Sequence, residues 1–344
     1  MNERRPRRRA RARSGGSVVE SSIILVSPNG TGLAEDLAAF VPPSVAARGY
    51  DQRLFPALAK DAPAMAVIER AVQLVPTAHR LFRADSRNLD FVDDESVHLA
   101  ITSPPYWTLK EYPKREGQLG LIQDYEAFLD ALDGVWREVY RVLVPGGRLV
   151  VVVGDVCLPR RSFGRHIVFP LHASIQERCR GIGFDNLAPI IWHKIANARL
   201  EVENGSRFLG KPYEPNGIVK NDIEYILFQR KPGGYRQPSV EARILSLIPE
   251  QLQREWFQQI WSIGGSSTRV HPAPFALQLA ERLVRMFSFV GDTVLDPFMG
   301  TGTTSLAAAK WGRSSIGVEI EPAYVRIARG RIDSRAKELR LALV

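Results

Sequence analysis

Cysteine is nearly missing from this chain: Cys157 and Cys179 are the two among 344 residues. A disulfide framework is not expected, and a reducing cytoplasm is the natural compartment. Neither cysteine sits in a Pro-Cys context, which leaves no case for a covalent thiol mechanism. No uninterrupted apolar run is long enough to span a bilayer, so no membrane partner is expected. The N-terminal charges have no apolar stretch behind them, so no secretory signal is expected either. No His, Cys or Asp cluster has metal-ligand spacing, and no metal is expected. What is present, 45% hydrophobic and 24% charged residues, suits a soluble globular protein of one large domain or one domain plus an insertion.

Acidic residues are in deficit. Lys and Arg number 46 against 37 Asp and Glu, a formal net charge of +9, with a pI near 9.7. That balance favours polyanionic partners, with phosphate contacts that weaken as salt rises. Part of the excess lies in Arg4-Arg5-Pro6-Arg7-Arg8-Arg9-Ala10-Arg11-Ala12-Arg13. Such a run repels itself and buries nothing, so residues 1–17 read as a disordered basic arm, either a DNA-tracking arm or a dispensable tail. Residues 18–76 read as an extension without an assigned role, with short helices at Leu33–Phe40 and Ala64–Leu74.

From Thr77 onward an α/β alternation is legible. His79–Ala84 reads as a strand with Asp85-Ser86-Arg87 at its carboxyl end, and Val97–Ile101 as a second, buried strand. Thr102-Ser103-Pro104-Pro105-Tyr106-Trp107 follows. Two prolines stop any regular element, because neither donates an N–H and each fixes φ. In an open α/β sheet, ligands bind outside the carboxyl ends of strands. A nucleobase amino group is a poor nucleophile, its lone pair being delocalised into the ring. The Ser103 hydroxyl and Pro104 carbonyl are two acceptors suited to its two N–H bonds, and Tyr106 and Trp107 offer faces for an unpaired base. The plainer alternative is a proline-rich turn with aromatics covering the core edge.

Next comes a polar stretch, Lys110–Gly120, expected to be exposed and mobile. Tyr125–Leu143 has helical periodicity, ended by Pro145-Gly146-Gly147. Arg148–Asp155 is a buried parallel-type strand, and His166–Cys179 reads as a helix. Leu187–His193 and Ile223–Gln229 read as strands bracketing a polar excursion, Lys194–Asp222. Residues 231–260 break the alternation.

The second signal is Asp292-Thr293-Val294-Leu295-Asp296-Pro297-Phe298-Met299-Gly300-Thr301-Gly302-Thr303-Thr304. A short strand ends in Asp296, a glycine-bearing turn follows, and hydroxyl residues suited to capping open a helix. Ile316-Gly317-Val318-Glu319 is a further strand ending in an acid, placed about 20 residues past the glycine turn as a ribose ligand would be. A dehydrogenase shares that layout, but the full G-x-G-x-x-G is absent.

Ser103-Pro104-Pro105-Tyr106 resembles the catalytic motif of the amino-group DNA methyltransferases, which methylate N4 of cytosine or N6 of adenine using S-adenosylmethionine. Asp296-Pro297-Phe298, Gly300, Gly302, Thr303 and Thr304 resemble that family's cofactor motif. The resemblance implies that Glu319 holds the ribose and that Asp85 approaches the adenine. His271, Pro272 and Phe275 resemble a further cofactor motif near the methionine moiety. The catalytic motif precedes the cofactor motif, as in the permuted beta class. Protein-glutamine methyltransferases carry the reverse order and an asparagine. Serine after threonine looks most like the N4-cytosine branch.

The resemblance covers residues 77–332. It implies a Rossmann-like, doubly wound, mostly parallel sheet with an antiparallel hairpin and a small recognition insertion. The catalytic half is 77–230, the target-recognition segment 231–260 with a share for the 194–222 excursion, the cofactor half 261–332, and the tail 333–344. The implied partners are double-stranded DNA and a cognate restriction endonuclease, and the implied cofactor is S-adenosylmethionine. Adenine-N6 methylation and a non-catalytic DNA-binding relative are the alternatives.

Overall fold

The computed structural model describes residues 19–25, 36–109, 112–158, 160–194, 221–264 and 276–341. The basic arm, most of the 194–222 excursion, and His271, Pro272 and Phe275 lie outside the described residues. The strands in chain order are β1 (Val19–Leu25), β2 (Thr77–Arg83), β3 (Val97–Thr102), β4 (Leu143–Val153), β5 (Val156–Leu158), β6 (Ile167–Phe169), β7 (Asp185–His193), β8 (Ile223–Arg230), β9 (Ile260–Ser262), β10 (Thr293–Asp296) and β11 (Ser314–Glu319). All but β5 and β6, which pair as a separate hairpin, form a sheet in the order β1-β2-β11-β10-β3-β4-β8-β7-β9. Its centre, β2 through β4, is parallel. β8 runs antiparallel to β4 and β7 antiparallel to β8. The fold is thus the expected largely parallel α/β sheet with an antiparallel hairpin.

Side-chain alternation along the strands divides the interior into two layers. Leu99, Ile101, Val150 and Val152 face a core formed with Val45, Leu58, Ile68, Leu279 and Leu283, so the helices Ala62–Val72 and Leu277–Phe287 cover that side. Ala100, Leu149, Val151 and Val153 face the other core with Phe128, Leu132, Trp136 and Ile175, under the helices Tyr125–Val142 and Leu171–Ile182. Phe128 and Trp136 are wholly buried; such side chains each contribute about 1.5–3 kcal/mol or more through lost apolar exposure. Asp124 caps the helix Tyr125–Val142 by accepting from the Ala127 N–H at 2.8 Å.

Several local expectations are corrected. Pro145-Gly146-Gly147 does not stop a helix: the helix ends at Val142, and β4 begins at once with Leu143 beside Val97. The expected helix from His166 splits, because Ile167–Phe169 pairs with Val156–Leu158 and the helix begins only after Pro170. In the extension, Leu37–Phe40 forms a 3₁₀ turn and the second helix runs Ala62–Val72. β1, which the sequence did not suggest, pairs antiparallel with β2 at the sheet edge.

Residues 231–248 pack at the amino ends of the parallel strands, away from the carboxyl ends where β3 leads into the proline loop. The Gly146 N–H donates to the Lys231 carbonyl at 2.9 Å, Arg236 grips Asp292 with both terminal nitrogens, and the Val290 N–H donates to Ser246 Oγ. By contrast, β7 ends and β8 begins at the carboxyl side, so Lys194 and Asp222, joined by a backbone hydrogen bond, root the excursion there.

Candidate active site

The two signals of the sequence meet at the carboxyl ends of adjacent strands, since β3 and β10 are parallel neighbours. Asp296 is the joint. It is 2% exposed and accepts from Thr102 Oγ1 at 2.9 Å, from Thr304 Oγ1 at 2.7 Å and from the Phe298 N–H at 3.1 Å. Burial outweighs these three donors and lifts its carboxyl to about 6. One carboxylate therefore ties the residue before Ser103 to the start of the helix Thr303–Lys310. The expected hydroxyl cap is not formed: Gly302 is the N-cap, and Thr304 turns inward to Asp296. Gly302 has φ 81°, and a Cβ there would stand 2.9 Å from Ala328 Cβ, so both conformation and space demand glycine.

Glu319, at the end of β11, accepts from the Gly300 N–H at 2.9 Å and the Glu321 N–H at 2.8 Å. Burial, with repulsion from Asp296 adding to it, raises its carboxyl to about 7. The expected ribose ligand thus also braces the glycine turn. Asp85 lies on the same pocket, which Phe298, Ile320 and Tyr324 also line. Its carboxylate is held by Arg87, whose Nη2 donates at 2.6 Å. Ser86 Oγ donates to the Pro297 carbonyl, linking the ends of β2 and β10. The described residues suit S-adenosylmethionine: aromatic and apolar walls for a purine, and carboxylates for hydroxyl groups.

The polar stretch is exposed only in part: among its described residues Pro113, Lys114, Arg115 and Glu116 are exposed, while Leu119 and Gly120 are buried. Tyr112, Gly117, Gln118 and Leu119 line the same pocket as Glu319, and Arg115 Nε donates to Glu321 at 3.1 Å. Sequence reasoning missed these residues because charge hides the apolar Tyr112 and Leu119.

The proline loop holds the other correction. Ser103 is partly exposed and borders the pocket, while Pro104 and Pro105 are buried. Tyr106 and Trp107 are 6% and 7% exposed, so neither presents an open stacking face. The Tyr106 hydroxyl receives Ser103 Oγ–H at 3.2 Å and faces Glu224 Oε2 at 3.1 Å and the Val152 carbonyl at 3.3 Å. Trp107 packs on Tyr125 and Phe169. Its φ is 45°, and its buried Nε1 has no acceptor among the described residues. A non-glycine residue in that region stores strain that the packing must hold.

Comparison with known proteins agrees with this geometry. A family model described as DNA methylase, of the N6/N4 type, matches residues 97–330. The type II methyltransferase M.MjaI of Methanocaldococcus jannaschii is 36% identical over 296 residues, covering 77% of this chain and 94% of that protein. M.MthZI of Methanothermobacter thermautotrophicus, also a type II methyltransferase, is 33% identical over 76% of this chain and 78% of its own. Among solved structures, TTHA0409 of Thermus thermophilus, itself only provisionally assigned as a DNA modification methylase and solved with S-adenosyl-L-methionine, matches with a TM-score of 0.62 and 55% identity, covering 75% of this chain and 94% of that one. The cytosine-N4-specific PvuII DNA methyltransferase shares the fold, with a TM-score of 0.52 at 20% identity over 75% of this chain and 91% of that one. With the proline loop and the glycine turn at one end of one sheet, and with these matches, the chain belongs to the N6/N4 family of DNA methylases.

Proposed function

We propose that this S-adenosylmethionine-dependent DNA methyltransferase methylates N4 of cytosine in double-stranded DNA, as the modification partner of a restriction endonuclease or alone. The observation that carries the reading is Ser103, the first residue of the proline loop, at the border of the pocket beside Glu319. It supplies a short neutral acceptor for an amino group, and the Pro104 carbonyl is the second. S-adenosylmethionine supplies the methyl group on its sulfonium. Phe298, Glu319 and Asp85 would hold its adenosine end.

The target amino group faces its pairing partner inside a duplex, so the base must leave the stack. Holding it against Ser103 orients the nitrogen for in-line displacement, and orientation supplies much of the rate. The amino proton departs after transfer, and the scheme needs no metal. Because 231–248 pack at the amino ends of the strands, the excursion rooted at Lys194 and Asp222 is favoured as the segment that reads DNA.

Digesting DNA from cells expressing the protein to nucleosides, with mass spectrometry of the products, tests the reading. N4-methylcytosine is expected. N6-methyladenine without it would replace cytosine by adenine and leave the cofactor assignment standing.

A further inference from the structure

A serine differs from a carboxylate in one respect that matters here. A carboxylate only accepts hydrogen bonds, whereas a hydroxyl both accepts and donates. If the Ser103 proton pointed at the target amino nitrogen, it would occupy the lone pair that must attack. Something has to turn that proton away.

The structure contains a chain of groups with one consistent direction. Glu224, near the start of β8, places Oε2 3.1 Å from the Tyr106 hydroxyl, and the Val152 carbonyl lies 3.3 Å from the same hydroxyl. Both are acceptors only. Of the three acceptors around it, the phenolic proton is drawn to Glu224, the charged and strongest one. The Tyr106 oxygen is then left to accept, and its remaining neighbour is Ser103 Oγ at 3.2 Å. The hydrogen bond open between the two hydroxyls then has Ser103 as its donor, and a Ser103 proton directed inward leaves its lone pairs for the substrate. Lys194 holds the far oxygen of Glu224 while its ammonium sits 4.3 Å from the Trp192 ring centroid. Gly154 leaves the room: a Cβ there would lie 3.1 Å from Glu224 Cγ and 3.5 Å from Tyr106 Cε2.

We infer that Glu224 is a positioning residue for methyl transfer, acting through Tyr106 to fix the Ser103 hydroxyl as a pure acceptor, with Lys194 as its clamp. The inference rests on the reading that Ser103 receives the target amino group, and it holds for either base.

The test is a set of single-turnover rates on full-length protein with saturating DNA and S-adenosylmethionine. Glu224→Leu should lower the rate about ten- to a hundredfold, the worth of a hydrogen bond to a charged group, with the KM for DNA little changed. Glu224→Gln, which keeps an acceptor oxygen but not the charge, should recover much of that loss. In the Tyr106→Phe background the Glu224 substitutions should have almost no further effect, because the link is already cut. A merely structural role would give the same loss in both backgrounds, and that result overturns the inference. If Glu224→Leu fails to fold, the cycle of Glu224→Gln with Tyr106→Phe decides by the same criterion. Ser103→Ala separates the two levels: an unchanged rate sinks the reading of Ser103 itself, whereas a large loss there with additive Glu224 effects sinks only the role of Glu224.

Discussion

The glycine turn after β10 and the proline loop after β3 stand side by side and are held in opposite ways. The turn is braced largely by its own neighbourhood: Asp296 takes Thr304 and the Phe298 N–H, and Glu319 takes the Gly300 and Glu321 N–H groups. The loop is braced from afar. Tyr106 reaches Val152 and Glu224, 46 and 118 residues on. The bracing of the turn is thus mostly local, with Thr102 and Ser86 reaching it from the ends of β3 and β2. The posture of the proline loop is a tertiary property of which the motif carries only the tip.

That contrast breaks if the two regions respond alike to substitution. The largest effect is expected at the loop: Ser103→Ala should cut turnover about a hundredfold, the scale for losing one preorganised polar contact to a reacting centre, while calorimetric affinity for S-adenosylhomocysteine stays unchanged. At the turn, Glu319→Gln, which keeps an acceptor oxygen but not the charge, should weaken S-adenosylhomocysteine binding by about 1 kcal/mol, the step from a charged acceptor to a neutral one. Glu319→Ala should add a stability loss in thermal unfolding, since the Gly300 and Glu321 N–H groups lose their acceptor.

Gly302→Ala tests the turn through stability. Its φ of 81° and the Ala328 contact should cost about 1–3 kcal/mol in chemical denaturation. A further test concerns pH. Asp296 and Glu319 titrate near 6 and 7 in the folded chain, above their ordinary 3.8 and 4.5. The native state therefore holds more protons than the unfolded one in between. Their contribution to stability is complete below about pH 4 and is lost as pH rises through 6 to 7. Buried His79, pushed down to about 3, works in the opposite direction over this window, so the test is a difference: the wild-type midpoint should fall relative to that of the Glu319→Gln variant as pH rises. A wild-type minus variant difference that stays flat over the window would mean that the Glu319 carboxyl is not raised.

The same contrast explains what the sequence revealed. The strands at β3 and β4 were legible because an apolar run bounded by prolines or glycines has few other readings. The glycine turn was legible because Gly302 must be glycine for a local reason. Ile167–Phe169 was misread into a helix, since a three-residue apolar stretch carries no period of its own; its partner Val156–Leu158 decides it. β1 was missed because only pairing with β2 makes Val19–Leu25 a strand. Tyr106 and Trp107 were visible as aromatics, but their burial was not, and Glu224 gave no signal within a strand.

The most direct measurement is single-turnover methyl transfer by Ser103→Ala and Glu319→Gln, each followed across a range of S-adenosylmethionine concentrations up to saturation. The Glu319→Gln deficit should disappear at saturation while the Ser103→Ala deficit persists in full. A Ser103→Ala deficit that saturating cofactor abolishes, or a Glu319→Gln deficit that survives it, would contradict the division between the proline loop and the glycine turn.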